Sequence, residues 1–307
     1  MELATASKDG FVRVYDVSRL ARTSEFRANG EAVGAVCWRP VGPVAADWGS
    51  STQVLAAVGS HPKMTVYDLR AGKAVATVDG VGQCTAVLWT ARDCLACRDY
   101  DELVRVIDAR TWKVTQKIDK YEVKDIATDA AGSTIYCTTF KGSVALLNAD
   151  AGFSQNEART VQVSTGSVRC CAWQNNYLAV GGIDHCFSLW DTKEWICRAS
   201  FNSQEASIRS VAIGSCTDLP SPGSDIPFGS LAVVSGTDDV IEGRKTYMDI
   251  GHVESGVCLR KKPMNAPTVH LSWSPTKPII AWCGRDLETV TLVRALHAPG
   301  APAAQRR

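Results

Sequence analysis

Long apolar runs are missing from these 307 residues, and no stretch approaches the roughly 18 unbroken apolar positions of a membrane-spanning helix. An excess of charge is missing too. With 33 basic against 32 acidic side chains the net charge is +1, which removes the broad electrostatic basis for nucleic-acid or membrane binding, because that binding draws on many clustered Lys and Arg. Catalytic signatures are also absent. There is no Gly-x-Ser-x-Gly elbow, Walker A loop, dinucleotide fingerprint or His-Glu-x-x-His helix. The five histidines, His61, His185, His252, His270 and His297, stand alone, and Gly181-Gly182 leads into an Asp turn, not a phosphate loop. The sequence therefore assigns no catalytic, cofactor-binding or metal site, and the expectation is a non-enzyme. No signal-peptide pattern follows Met1.

Cysteine, by contrast, is plentiful. The twelve residues run from Cys37 to Cys283 and sit mostly in apolar, strand-like stretches such as Val36-Cys37-Trp38. Together with an apolar fraction of 45% and a charged fraction of 21%, they predict a packed core with buried thiols in a reducing compartment, cytosolic or nuclear, in preference to a disulfide framework. Cys94-x-x-Cys97 could form half a zinc site or a redox dithiol. However, positions three apart in an extended strand face opposite sides, and no second pair stands at suitable spacing. Cys170-Cys171 has the same difficulty.

The dominant feature is an internal repeat. An apolar strand closing in aspartate recurs as Arg13-Val14-Tyr15-Asp16, Thr65-Val66-Tyr67-Asp68, Arg105-Val106-Ile107-Asp108 and Ser188-Leu189-Trp190-Asp191, with a weaker copy at Ala145-Leu146-Leu147-Asn148. From Asp68 onward the steps are about 40, 40 and 43 residues, the period of a β-propeller blade. A strand running into tryptophan precedes these copies, as in Ala35-Val36-Cys37-Trp38, Ala86-Val87-Leu88-Trp89, Cys170-Cys171-Ala172-Trp173 and His270-Leu271-Ser272-Trp273. Between them lie runs of small residues ending in tight turns, for example Lys8-Asp9-Gly10, Ile183-Asp184 and Thr237-Asp238. Small side chains suit a crowded propeller axis, and Asp turns close hairpins through side chain to backbone hydrogen bonds.

Naming the strands of a blade a to d, the fold class is all-β, a seven-bladed propeller spanning 1–295 with a flexible tail at 296–307. Blades two to seven begin near Val33, Cys84, Val123, Val168, Ile208 and Thr268. Helix is nearly absent, because Gly, Pro and Asp punctuate the chain too often. The first blade lacks strand a, and the seventh has no strand d after Val290 to Arg294. The expectation is a truncated start or a misassigned initiation site, unless residues 295 to 305 supply a closing strand.

Several residues stand out as partner contacts. Two connections between strands a and b are long, Pro40 to Gln53 and Gly214 to Gly229, and their aromatics Trp48 and Phe228 could dock a partner or belong to tolerated surface variation. Arg260-Lys261-Lys262-Pro263 is the one dense basic run. It could serve nuclear import or local RNA contact, or be the solvated edge of a strand d. Trp112 and Trp195 each fall four residues after a strand-closing aspartate, which points to turn or core packing.

The aspartate-closed and tryptophan strands resemble WD40 repeats, although only Trp190-Asp191 keeps the dipeptide. Within that family several segments are similar to the WD40 subunit of the THO complex. They are Ala74 to Val78 with Ala86 to Trp89, Val104 to Thr111 with Tyr121-Glu122-Val123, Phe187 to Asp191, Met248 to Gly256, Val269 to Pro275 and Lys277 to Ala281. The insertions, including an extra segment at 241–247, depart from it. The resemblance implies a nuclear, non-enzymatic scaffold of the THO/TREX assembly, coupling transcription to messenger ribonucleoprotein packaging and mRNA export. Its partners would be other THO/TREX subunits, with RNA contact at most indirect and no membrane, cofactor or small-molecule substrate. A second resemblance competes. Tyr67-Asp68-Leu69-Arg70 and Ile107-Asp108-Ala109-Arg110 are similar to the WD-x-Arg box of cullin ubiquitin-ligase substrate receptors, which makes Arg70 and Arg110 candidate adaptor contacts. A generic WD40 scaffold is a third reading.

Overall fold

In the computed structural model, residues 1–28, 31–40, 53–90, 93–202, 206–216, 230–237, 246–275 and 277–294 are described. They form 26 β-strands and a single three-residue 3-10 turn, Ala149–Ala151. Every strand pairing runs antiparallel between strands adjacent in sequence, and the result is seven separate sheets. The chain divides into two compact units, 1–139 with 144–160, and 140–143 with 161–307.

The first unit carries sheet 1 (β1 Glu2–Ala6, β2 Phe11–Asp16, β3 Ala21–Arg27) and sheet 2 (β4 Val33–Trp38, β5 Val54–Gly59, β6 Lys63–Asp68, β7 Lys73–Asp79). Sheet 3 follows (β8 Cys84–Trp89, β9 Cys94–Asp99, β10 Val104–Asp108, β11 Lys113–Ile118), then sheet 4 (β12 Val123–Thr128, β13 Thr134–Thr139, β14 Ser143–Asn148, β15 Arg159–Gln162). Neighbouring sheets pack face to face through alternating apolar positions. One such cluster joins Ala56, Val66 and Val78 of sheet 2 to Val87, Trp89 and Cys97 of sheet 3.

The second unit carries sheet 5 (β16 Val168–Gln174, β17 Tyr177–Gly182, β18 Phe187–Asp191, β19 Ile196–Phe201) and sheet 6 (β20 Ile208–Cys216, β21 Ser230–Thr237, β22 Thr246–His252, β23 Cys258–Met264). Sheet 7 has three described strands, β24 Thr268–Trp273, β25 Ile279–Gly284 and β26 Val290–Arg294. The predicted starts of six blades coincide with β4, β8, β12, β16, β20 and β24. By their turns, the three strands of sheet 1 correspond to b, c and d, and those of sheet 7 to a, b and c. The expected tail, and any closing strand within 295–307, lie outside the described residues.

Burial is deepest in the middle strands b and c of most sheets. Four of the d strands are largely exposed except for one anchor near the end, namely Phe26, Val78, Ile118 and Phe201. Each anchor sits opposite the first or second residue of strand c, in the pairs Val12–Phe26, Met64–Val78, Val104–Ile118 and Phe187–Phe201. Phe187 and Phe201 stack at 4.4 Å. One buried contact thus pins an otherwise polar outer strand, which keeps the sheet edge unsuited to pairing with another chain.

A second regularity lies in strand a. In all six sheets that have one, the register slips by one residue just inside its start, between Val33/Ala35, Cys84/Ala86, Val123/Asp125, Val168/Cys170, Ile208/Ser210 and Thr268/His270. The skipped residues, Gly34, Thr85, Lys124, Arg169, Arg209 and Val269, are bulged out of the ladder. A bulge re-aims the side chain it carries and steepens the local twist.

Candidate functional site: turns, edges and exposed loops

The strand-closing aspartates are turn-builders. The Oδ1 atoms of Asp16, Asp68, Asp108 and Asp191 accept the backbone N–H two residues on, from Ser18, Arg70, Arg110 and Lys193, at 2.8, 2.8, 2.7 and 2.9 Å. Four residues after each aspartate the chain takes a left-handed conformation, at Leu20, Gly72, Trp112 and Trp195, with φ of 52°, 66°, 56° and 57°. The carbonyls of Asp108 and Asp191 accept the N–H of Trp112 and Trp195 at 2.8 and 2.7 Å. This is the physical content of the shared tryptophan offset, and Trp112 also packs edge-on against Trp89 at 6.4 Å. Sheet 6 builds the same turn from a histidine. The buried Nδ1 of His252 accepts the Ser255 N–H at 3.1 Å, and Gly256, with φ of 67°, donates to the His252 carbonyl at 3.0 Å. Turns between strands b and c use aspartate as expected, since Asp9 Oδ1 accepts from Phe11 at 3.1 Å and Asp184 Oδ1 from Cys186 at 3.3 Å. Asp238 lies outside the described residues.

These hydrogen bonds favour the ionised carboxylates. The side chain of Arg13 holds Asp9 down at about 2. Backbone N–H groups lower Asp16 and Asp108, and Arg198 followed by the Lys193 N–H lowers Asp191. A folded-state pKa below the unfolded one contributes stability above about pH 4, and that contribution is lost as pH falls through the folded value. Asp108→Ala should therefore cost about 1 kcal/mol at neutral pH, the size of one net hydrogen bond. Asp108→Asn, which keeps the acceptor, should cost less. Urea midpoints measured at pH 7 and again near pH 2 check this, and the gap between wild type and Asp108→Ala should close in acid.

The sequence-selected residues fall on three different features. Arg70 and Arg110 are exposed and occupy the same turn position in neighbouring sheets 2 and 3. The Arg110 guanidinium leans back on its own turn, 3.4 Å from Asp108 Oδ2. Arg260, Lys261 and Lys262 lie in β23, the strand d of sheet 6. Strand alternation sends Lys261 to the face opposite Arg260 and Lys262, and its Nζ stands 4.5 Å from the Tyr247 ring. Trp48 and Phe228 lie outside the described residues. The connections that carry them join β4 to β5 and β20 to β21, as read from the sequence. The residue that precedes the first connection, Arg39, is almost fully buried, donates to Asp93 at 2.6 Å and lies over the Trp89 ring.

Cys94 and Cys97 point into different cores, Cys97 with Cys84 and Trp89, Cys94 against the cluster of Ile126 and Ile135. The eleven cysteines whose side chains are described are free thiols. Five of them are buried, and Cys197 and Cys258 are exposed. Burial pushes Cys137 up to about 12, far from a reactive thiolate.

What sequence reading missed is the bulge column of strand a. Its signal was available in part, as a polar second residue in Val123-Lys124, Val168-Arg169 and Ile208-Arg209, but alternation alone does not reveal a one-residue slip.

No protein-family model matches the chain. THO complex subunit 3 of Arabidopsis thaliana is 22% identical over 293 residues, covering 93% of this chain and 83% of that protein. WD repeat-containing protein AAC3 of Dictyostelium discoideum is 23% identical over 241 residues, 69% of this chain and 48% of that protein. Among solved structures, the Myceliophteria thermophila Cps50 (Swd1) β-propeller domain superposes with a TM-score of 0.73 at 13% identity, covering 95% of this chain and 93% of that one. A chain of the mitotic checkpoint complex also reaches a TM-score of 0.73, at 16% identity with coverages of 95% and 83%. The fold is a seven-bladed β-propeller.

Proposed function

We propose that this chain, a WD40 β-propeller that resembles THO complex subunit 3, is a non-catalytic scaffold subunit of a nuclear THO/TREX assembly and helps couple transcription to mRNP assembly and mRNA export. The observation that carries the reading is the similarity to THO complex subunit 3 along 93% of the chain. A likeness that long follows the whole order of repeats and turns, whereas isolated WD-like motifs are common to many propellers. The balanced charge supports contacts to protein subunits over direct contacts to RNA. In this reading residues 1–295 are the docking module and 296–307 its tail. Trp48, Phe228, Arg260, Lys261 and Lys262 are its candidate docking contacts, whereas Arg70 and Arg110 belong to the second reading below.

Affinity purification of the tagged full chain from nuclear extract, with mass spectrometry, tests the proposal. Recovery of THO subunits is the expected result, and recovery of a different stable complex in their place would overturn it. The exposed, equivalent placement of Arg70 and Arg110 favours a second reading, a cullin-ligase substrate receptor. Ligase adaptors lost from the Arg70→Ala/Arg110→Ala variant would support it, while THO association should survive that change.

A further inference from the structure

Six of the seven sheets have a strand a, and sheet 1 has none among the described residues. The consequence shows in β1. Every residue of β5 is buried, and so are five of six in β13 and in β17. β1 has no buried residue at all, with Leu3 to Ala6 half-buried and Glu2 exposed.

The hydrogen bonds fix which way the backbone of β1 points. The Met1 carbonyl accepts the Val17 N–H at 2.9 Å, and the Ser7 N–H donates to the Phe11 carbonyl at 3.2 Å. In this antiparallel register Leu3–Tyr15 and Thr5–Arg13 are therefore the hydrogen-bonded pairs with β2. The N–H and C=O groups of Glu2, Ala4 and Ala6 point the other way, and they have no hydrogen-bond partner among the described residues. Elsewhere strand a meets such groups. Val54, Cys94 and Thr134 stand where Glu2 does, opposite the residue that closes strand c. Their carbonyls accept the N–H of Arg39, Thr90 and Asp129, which follow strand a, at 2.9, 2.8 and 3.3 Å.

An open edge is ordinarily blunted by lysine, proline, a bulge or an inward-pointing charge. The run Glu2-Leu3-Ala4-Thr5-Ala6 has no lysine or proline, carries its one charge at the end, and pairs with β2 without a slip. The outer strand of the same sheet, β3, is charged and polar by contrast. What fits the inner edge is written in the other six sheets. The fourth residue of strand a is apolar in all of them, as Val36, Val87, Ile126, Cys171, Val211 and Leu271. The fifth is mostly small, and the sixth is tryptophan in four.

We infer that the inner edge of β1 docks an extended segment of a partner protein, which joins sheet 1 as its strand a through backbone hydrogen bonds to Glu2, Ala4 and Ala6. In strand addition the main chain supplies affinity and alternate side chains supply specificity. By the register of sheet 2, the segment's apolar fourth residue stands opposite Thr5 and its small fifth residue opposite Ala4. The small residue then faces the cluster of Val12, Val14 and Val33 that Ala4 and Ala6 already join. The inference rests on the protein-scaffold reading but not on the identity of the assembly.

The test uses the purified full chain and fluorescence polarisation with a labelled peptide carrying Val-Thr-Ala-Val-Ala-Trp between lysines. Saturable binding is expected, reduced about tenfold or more in Ala4→Pro, which removes an N–H from the open edge and puts a ring in the path of the incoming strand. Proline is compatible with an edge strand whose N–H makes no ladder bond, and melting curves establish that the variant is folded. The same peptide N-methylated along its pairing edge should fail against the wild-type chain, which needs no variant to fold. Hydrogen exchange gives the position, because bound peptide should slow exchange at Ala4 and Ala6. Equal binding of the N-methylated or a scrambled peptide, equal binding by folded Ala4→Pro, or protection at β23 or β26 in place of β1 would overturn the inference. Self-association lost in Ala4→Pro would overturn it too, by making a second copy the occupant. So would peptide binding that arises only after removal of residues 296–307, which would make the tail the occupant. THO subunits recovered by a chain that fails the peptide test would sink the site alone. Peptide binding without THO recovery would sink the assembly assignment alone.

Discussion

Replacing Trp282 with alanine is expected to destabilise the protein by about 3–5 kcal/mol, the range for deleting a large aromatic from a packed core. Trp282 is 1% exposed and lies among Ala232, Val234, Met248, Ile250, Leu271 and Ile280, where sheets 6 and 7 meet. Its Nε1 donates to Thr268 Oγ1 at 3.1 Å, so truncation leaves a cavity and also removes the donor from a buried hydroxyl. The same strand b position holds Ala57, Cys97, Cys137 and Val180 in sheets 2 to 5. Sheet 7 alone fills it with an indole. Trp282→Phe should fall between, retaining most of the packing and losing the hydrogen bond. Equilibrium urea unfolding measures both, and a cost below about 1 kcal/mol for the alanine variant would contradict the packing described.

Gly59→Ala is expected to be comparably damaging although it adds a single methyl. A Cβ at Gly59 would stand 2.8 Å from Val33 Cα and 2.9 Å from Gly34 N, with the carbonyl oxygen of Ala32 closer still. All three obstacles are backbone atoms, which cannot swing aside as a side chain can. That same carbonyl accepts the Ser60 N–H at 2.9 Å, so pushing it away also breaks a hydrogen bond where strand a enters sheet 2. Ordinary overpacking costs about 1–3 kcal/mol. The rigid surroundings put Gly59→Ala at or above the top of that range, to be read as a fall in melting temperature. Gly72→Ala is the control. Nothing lies within 4 Å of its added Cβ, so only the strain of its left-handed φ should register.

Much of this architecture was legible because it rests on periodic, local chemistry. The strand a starts at Val33, Cys84, Val123, Val168, Ile208 and Thr268 were readable because an apolar run follows a turn each time. The aspartates were readable because a carboxylate satisfies the next N–H groups wherever strand c ends. The sixth copy escaped notice because His252 performs the same task with a ring nitrogen, and no pattern of aspartates reveals that. The role of Trp112 and Trp195 was only half visible. Their shared offset pointed to a structural place, but a left-handed backbone at an aromatic residue is not something composition suggests. Least legible was the bulge column. Arg169 and Arg209 are forty residues apart in the chain, and only the slipped ladder of each sheet shows that both are bulged out at the same place. The basic run at 260–262, conspicuous in sequence, is split between two faces of one strand.

The pairing of each strand only with its sequence neighbours has a kinetic consequence. Every ladder closes through a connection of at most ten residues except the two lengthened ones, so a sheet needs no distant segment to begin forming. At synthesis rates of about 5–20 residues per second, a blade of roughly forty residues emerges every few seconds, far longer than the microseconds a hairpin takes to form. Each sheet can thus be paired before the next has left the ribosome, with its apolar face waiting on the following blade. The moments of greatest aggregation risk fall while the connections at 40–53 and 214–229 are being made, when an inner strand stands exposed without its partner.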